Sequence, residues 1–140
     1  MHSIQTKIQK IIIARCEPGD DLYVSLDQLV QENDVRSGFF QVIGAVSRAR
    51  LGVFEHGKYE WMEHEGSLEI SSCTGNISIK DGRSLVHGHA VLTDHKGTVL
   101  GGHVVEGCIV DPTAEIHLHV LEGSVERRLD KKTGLWLLDI

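Results

Sequence analysis

The sequence predicts an α+β fold: a largely antiparallel β-sheet with one main amphipathic helix. Three observations carry that prediction. β-branched or alternating apolar stretches recur along most of the 140 residues, with the period of two that a pleated strand imposes. Turn signals such as Asp81-Gly82 and Lys96-Gly97 separate them. Only one stretch, Leu22 to Val30, repeats its apolar residues at helical spacing, and many strands beside a single helix make an α+β fold. With 140 residues, 41% of them hydrophobic, the chain can bury one real core and not comfortably two, so residues 1–140 are expected to form a single domain.

Taken in order, Ile8 and the run Ile11-Ile12-Ile13-Ala14 are dense in β-branched residues, which suits a strand buried on both faces. Glu17-Pro18-Gly19-Asp20-Asp21 is a turn ending in a helix N-cap. Leu22, Leu26, Leu29 and Val30 then fall at i, i+4, i+7 and i+8 on one side of a helix, with Asp27, Gln28 and Gln31 on the other. Asn33 and Asp34 close it. Phe39 to Val46, interrupted by Gly44, reads as a strand, and Arg48 to Phe54 as another with Ala49, Leu51 and Val53 on its dry side. Glu55-His56-Gly57-Lys58 turns the chain into a short strand at Tyr59, Trp61 and Met62. Gly66 to Ile79 follows, broken by Thr74-Gly75-Asn76. Leu85 to Thr93 and the segment after Thr98 form a hairpin. Glu115 to Leu121 alternates, with Ile116, Leu118 and Val120 inward and Glu115, His117 and His119 on the opposite face. Lys131-Lys132-Thr133-Gly134 is the last turn, and Leu135 to Leu138 the last strand.

Charge and motifs exclude several function classes. A net charge of -6 and pI near 5.8 oppose duplex binding, since nonspecific affinity for DNA comes from basic residues that neutralise phosphates. Cys16, Cys73 and Cys108 are odd in number and widely spaced; they read as buried thiols in a reducing cytoplasm, neither a disulfide framework nor a zinc ribbon. The start MHSIQTKIQK has no signal-type apolar core, and no run reaches the roughly eighteen apolar residues of a membrane span. A soluble cytoplasmic protein is expected. No nucleophile elbow, Walker loop or dinucleotide fingerprint supports nucleotide or hydride chemistry.

Chemistry concentrates in Gly82 to Gly107, GRSLVHGHAVLTDHKGTVLGGHVVEG. Alternation puts His87 and His89 on one strand face. If Asp94-His95-Lys96-Gly97-Thr98 is a three-residue loop with Gly97 left-handed in a G1 bulge, Asp94 pairs Thr98 and His89 lies opposite His103. Directly opposed Cβ atoms are then about 4.5–5.5 Å apart, with His87 a diagonal neighbour. A two-residue loop would turn His103 to the other face, so the site depends on register. Three neutral imidazoles suit zinc and leave a fourth position open, as in catalytic zinc sites, whereas structural zinc favours four ligands and cysteine. For an isolated His-X-His the plainer reading is hydrogen bonding on a polar sheet face. The third histidine in register, with Gly88, Gly101 and Gly102 removing bulk nearby, favours a metal. Whether that metal is catalytic or structural, its identity, and the substrate stay open at this level.

Other candidates are weaker. His117 and His119 repeat the i, i+2 spacing beside Glu115 but show no third partner, so an exposed face explains them. His56, His64 and His95 read as turn or loop surface. Glu69, Glu106 and Glu115 could each support the site as a nearby carboxylate or general base, although solvated roles fit any one of them.

Taken together, Gly82-Arg83-Ser84-Leu85-Val86-His87-Gly88-His89, Leu92-Thr93-Asp94, Gly97 and Gly101-Gly102-His103 resemble the plants-and-prokaryotes conserved (PPC, DUF296) family. Arg15-X-X-Pro18-Gly19-Asp20, Ile43-Gly44-Ala45 and Asp130-X-X-Thr133-Gly134 extend the resemblance over nearly all the chain. It implies an α+β fold, a homotrimer, and a metal on the histidines matching His87, His89 and His103. Plant members pair the domain with a DNA-binding AT-hook and a protein-contact motif. This chain has no Arg-Gly-Arg-Pro hook, and of the contact motif it keeps Gly66, Glu69 and Ile70. Two function classes remain: a metal-centred small-molecule site, and a non-enzymatic DNA-associated or protein-interaction regulatory module. Exposed strand edges on a small sheet-rich domain are consistent with the trimer.

Overall fold

In the computed structural model, which describes residues 1–140, the chain forms eight strands and one helix. These are β1 Ile8–Cys16, α1 Leu22–Glu32, β2 Gly38–Glu55, β3 Lys58–Lys80, β4 Arg83–Thr93, β5 Val99–Val104, β6 Ile109–Leu121, β7 Arg127–Leu129 and β8 Trp136–Leu138. Six strands make one antiparallel sheet in the order β1-β6-β2-β3-β4-β5, and β7 with β8 form a separate hairpin. The expected class, a mostly antiparallel sheet with a single short helix, is the one adopted. β2 is long enough to pair β6 along its first half and β5 at Leu51 and Gly52. The sheet therefore closes on itself at that end, with His103 held opposite Gly52.

Helix α1 begins as its sequence requires. The Asp21 carboxylate accepts the N–H groups of Tyr23 and Val24, two of the orphan donors of a helix start. It also accepts from Gly107 N–H at 2.6 Å, which ties the helix to the loop before β6. Leu22, Leu26 and Val30 are buried and pack with Phe40, Val42, Ile116 and Leu118 into one core. Each such side chain contributes about 1.5–3 kcal/mol by leaving water. Asn33 caps the far end.

Three strand expectations change. Phe39–Val46 and Arg48–Phe54 are halves of one strand, β2, whose bulges lie between Val42 and Gly44 and between Val46 and Arg48. Bulges shift register without ending a strand. Likewise Thr74-Gly75-Asn76 does not break β3. Gly75 pairs Gly88 across to β4, and a Cβ on either would come within 2.6 Å of the Phe40 ring; these glycines make room for a core aromatic. Finally, β1 is not buried on both faces. It is an edge strand paired only with β6, and Ile11 and Ile13 are 54% and 70% exposed while Ile12 and Ala14 pack on the core. β-branched density marked the strand but not its sidedness, because only one face of the sheet is covered by the helix. No helix is long and apolar enough to cross a membrane.

Candidate metal centre

The strands bring the three histidines together in the register the loop chemistry predicts. His89 pairs His103 across β4 and β5. Gly97 has φ of 80°, Asp94 N–H donates to Thr98 O at 3.1 Å, and the Asp94 carboxylate accepts from Lys96 and Thr98 N–H at 2.8 Å. The imidazole centroids lie 5.1 Å apart for His87–His103, 5.3 Å for His87–His89 and 5.6 Å for His89–His103. One ring nitrogen from each lies within 4.8 Å of the others, so the cluster could hold a metal ion. His89 is exposed, and His87 and His103 are half-buried.

Two of these rings stay neutral at ordinary pH. Burial pushes His103 down to about 4, with His87, His89 and Arg127 adding repulsion. His87 is lowered by burial, then by Arg127 and His89. A neutral imidazole keeps the lone pair a metal needs. His103 Nδ1 is buried with no hydrogen-bond partner in the protein.

Sequence reasoning missed Arg127. Its Nε donates to Ser78 Oγ at 2.7 Å, one terminal nitrogen donates to Trp136 O at 2.7 Å, and the other to Asn76 Oδ1 at 2.9 Å and His87 Nδ1 at 3.3 Å. A guanidinium only donates, so in this contact Nδ1 accepts and the His87 proton sits on Nε2; a metal on Nε2 would require the proton to move to Nδ1 and the contact to Arg127 to be given up. Arg127 lies in the three-residue strand β7, too short to show any period, and reaches a histidine 40 positions away. Only the unpatterned pair Arg127-Arg128 marked it in sequence. Beside the histidines opens a cavity of about 670 Å³ whose walls include Phe54, Tyr59, Lys80 and Trp136.

The other sequence candidates fall elsewhere. Glu69, Glu106 and Glu115 do not border the cavity. Glu115 pairs Arg15 and Ile43 on the open sheet face, where His117 and His119 also lie, as the alternation predicted. His119 stacks on Phe39 with centroids 4.3 Å apart. His64 is not in a loop but half-buried within β3, because the short strand seen at Tyr59 continues through it. Gly88 and Gly102 alternate with the histidines and relieve the opposite face: Gly88 lies under Phe40, and a Cβ on Gly102 would stand 2.8 Å from Gly52 O. Gly66 and Glu69 are exposed, and Ile70 is in the core. The three cysteines are free and buried; burial raises all three thiols, Cys73 to about 12, which keeps them protonated.

Fold and cluster together define a small antiparallel-sheet protein with a metal-competent histidine triad at the mouth of a cavity. The chain belongs to the Plants and Prokaryotes Conserved (PCC) domain family, whose model matches residues 3–122. The resemblance carried by the histidine stretch is thus established. A metal-containing protein of Archaeoglobus fulgidus is similar at TM-score 0.90 and 30% identity, over 99% of each chain. A plant- and prokaryote-conserved protein of Pyrococcus horikoshii matches at TM-score 0.90 and 30% identity, over 100% of this chain and 98% of that one. Among curated proteins, the bifunctional protein GlmU of a Synechococcus strain is 32% identical over 124 residues, which is 88% of this chain and 18% of that protein. The chain therefore spans about a fifth of the length of that relative.

Proposed function

We propose that this chain is a single-domain, homotrimeric zinc protein in which His87, His89 and His103 hold the ion and leave one coordination position open to the adjoining cavity. The observation that carries the reading is the convergence of three imidazole nitrogens within 4.8 Å. The donor set fits: three imidazoles and no thiolate or carboxylate suit zinc with an open position. The buried, unpartnered His103 Nδ1 is the kind of orphan an absent ligand would satisfy. A zinc ion there supplies Lewis acidity toward an oxygen of a bound molecule. The chain's own part is to keep His87 and His103 neutral by burial, to align the three rings by strand pairing, and to wall the open side with aromatic side chains. The metal-containing Archaeoglobus relative supports the reading.

For the trimer, support comes from the sheet face opposite the helix. Ile11, Ile13, Phe39 and Ile43 are between 37% and 70% exposed there, in rows that run through β3 to His87 and His89. These exposed apolar side chains, interleaved with Glu115, His117 and His119, favour an interaction surface there. A DNA-associated module is the weaker alternative, since the net charge of -6 works against phosphate contacts.

Metal analysis tests the site. The purified protein should carry one zinc per chain, and His87→Ala and His103→Ala should lose it with unchanged circular dichroism. Wild-type protein that never holds metal ends the proposal. Light scattering should give three times the 15.5 kDa chain mass; a monomer at micromolar concentration removes the trimer.

A further inference from the structure

We infer that the cavity beside the histidines is built for a small molecule carrying an oxyanion, a carboxylate or phosphate, on an aromatic or apolar body, and that Arg127 selects the charge. The inference rests on the cavity's being the ligand site of the proposed function, but its charge argument does not need the metal.

The first observation is the sign of the lining. The chain holds 20 acidic residues against 14 basic ones, yet no aspartate or glutamate borders this cavity, while Arg127 and Lys80 do. A pocket that reverses the charge of its protein holds anions by local field, since low-dielectric walls focus that field inward.

Arg127 itself is the second. Its partners are a hydroxyl, a backbone carbonyl, an amide oxygen and a ring nitrogen, which fix the guanidinium in place without neutralising it. Arg127 is half-buried, and none of the chain's ion pairs includes it. Desolvating a charge without a counter-charge is unfavourable, and a bound oxyanion removes that penalty. Of the five N–H groups of a guanidinium, four are used by these contacts. The fifth, on the terminal nitrogen that meets Trp136 O, remains to donate to one oxygen of a carboxylate or phosphate. Placed next to His87, the same charge would oppose a bound dication. An anion reaching both therefore tightens each, and coupling of this kind is reciprocal.

Lastly, the walls accept a ring. Tyr59 lies 5.3 Å from Phe54, edge-on, and 5.3 Å from His103, and Lys80 Nζ is held 4.7 Å over the Trp136 ring. These flat surfaces would cover the body of the ligand while Arg127 meets its charged end.

The test is titration calorimetry on the full chain, zinc-loaded and chelator-stripped, with benzoate, phenyl phosphate and the neutral benzyl alcohol. Wild-type protein should bind both anions at least tenfold more tightly than the alcohol in either state. Benzoate against phenyl phosphate decides which oxyanion is preferred. Arg127→Met should abolish the anion preference without weakening the alcohol, and Arg127→Lys should restore part of it. Should Arg127→Met fail to fold, the wild-type comparison still decides, because equal affinity for benzoate and benzyl alcohol, or no binding of either anion, overturns the inference. A preference that appears only with zinc and survives in Arg127→Met assigns charge selection to the metal, which refutes the role of Arg127 and leaves the zinc proposal standing. A preference that persists in protein unable to hold zinc does the reverse.

Discussion

His87-X-His89 in β4 and His117-X-His119 in β6 share a spacing and a sheet face, yet their surroundings differ in kind. In the first pair, His89 is opposed by His103, and Arg127 crosses from β7 to His87. In the second, His117 is opposed by Ile13 on one side and Gln41 on the other, and His119 lies against the Phe39 ring. Spacing within a strand settles only the direction of two side chains. What they can do is decided by the residue directly across the ladder, where Cβ atoms stand about 4.5–5.5 Å apart. A third imidazole there makes a ligand set; an isoleucine or an amide makes a surface.

The largest effect expected from this contrast is on metal affinity. His89→Ala should weaken zinc binding by at least about a hundredfold, beyond the 10–100-fold that loss of a mere supporting contact costs. His117→Ala, at the matching place in β6, should leave it unchanged by competition titration with a chelating dye. Equal losses from the two would show that the metal is not where the register puts it.

A gain of function sharpens the same point. Gln41 stands to His117 as His103 stands to His89, so Gln41→His should give the second pair a third ligand. The expected result is one additional zinc per chain, weaker than the first because the His119 ring is already stacked on Phe39. Unchanged stoichiometry would mean that register alone does not suffice.

The smallest effect is on stability. In the metal-free protein His87 and His103 are held below the ordinary histidine value of 6.5, His103 at about 4. Below pH 6.5 the unfolded chain takes up protons that these folded rings resist, so folding stability falls as pH drops toward about 4 and is fully regained above 6.5. Urea unfolding across that range should show the slope, and His103→Asn should flatten it. Stability independent of pH in both proteins would contradict the burial assigned to these rings.

Much of this site was legible in sequence because its determinants are local. Gly97 and Asp94 define the loop, the loop defines the register, and the register defines the facing of His103. Helix α1 was equally legible, its Asp21 cap and apolar stripe being contained in a dozen residues. The lengths of β2 and β3 were not: a glycine that makes room for Phe40 looks in sequence like one that makes a turn. Nor was the one-sided burial of β1, since Ile11 and Ile12 differ only in which face the rest of the fold covers. Arg127 was the hardest to see. Its role comes from a hairpin outside the main sheet that delivers a cation to a distant strand, and no pattern near residue 127 encodes that meeting.

The central claim is that one metal is shared by three imidazoles from two strands, and X-ray absorption on the purified, metal-loaded protein tests it most directly. The account predicts zinc with three imidazole nitrogens at about 2.0–2.1 Å and one further light-atom ligand. A shell containing sulfur near 2.3 Å, or one without imidazole scattering, would contradict it.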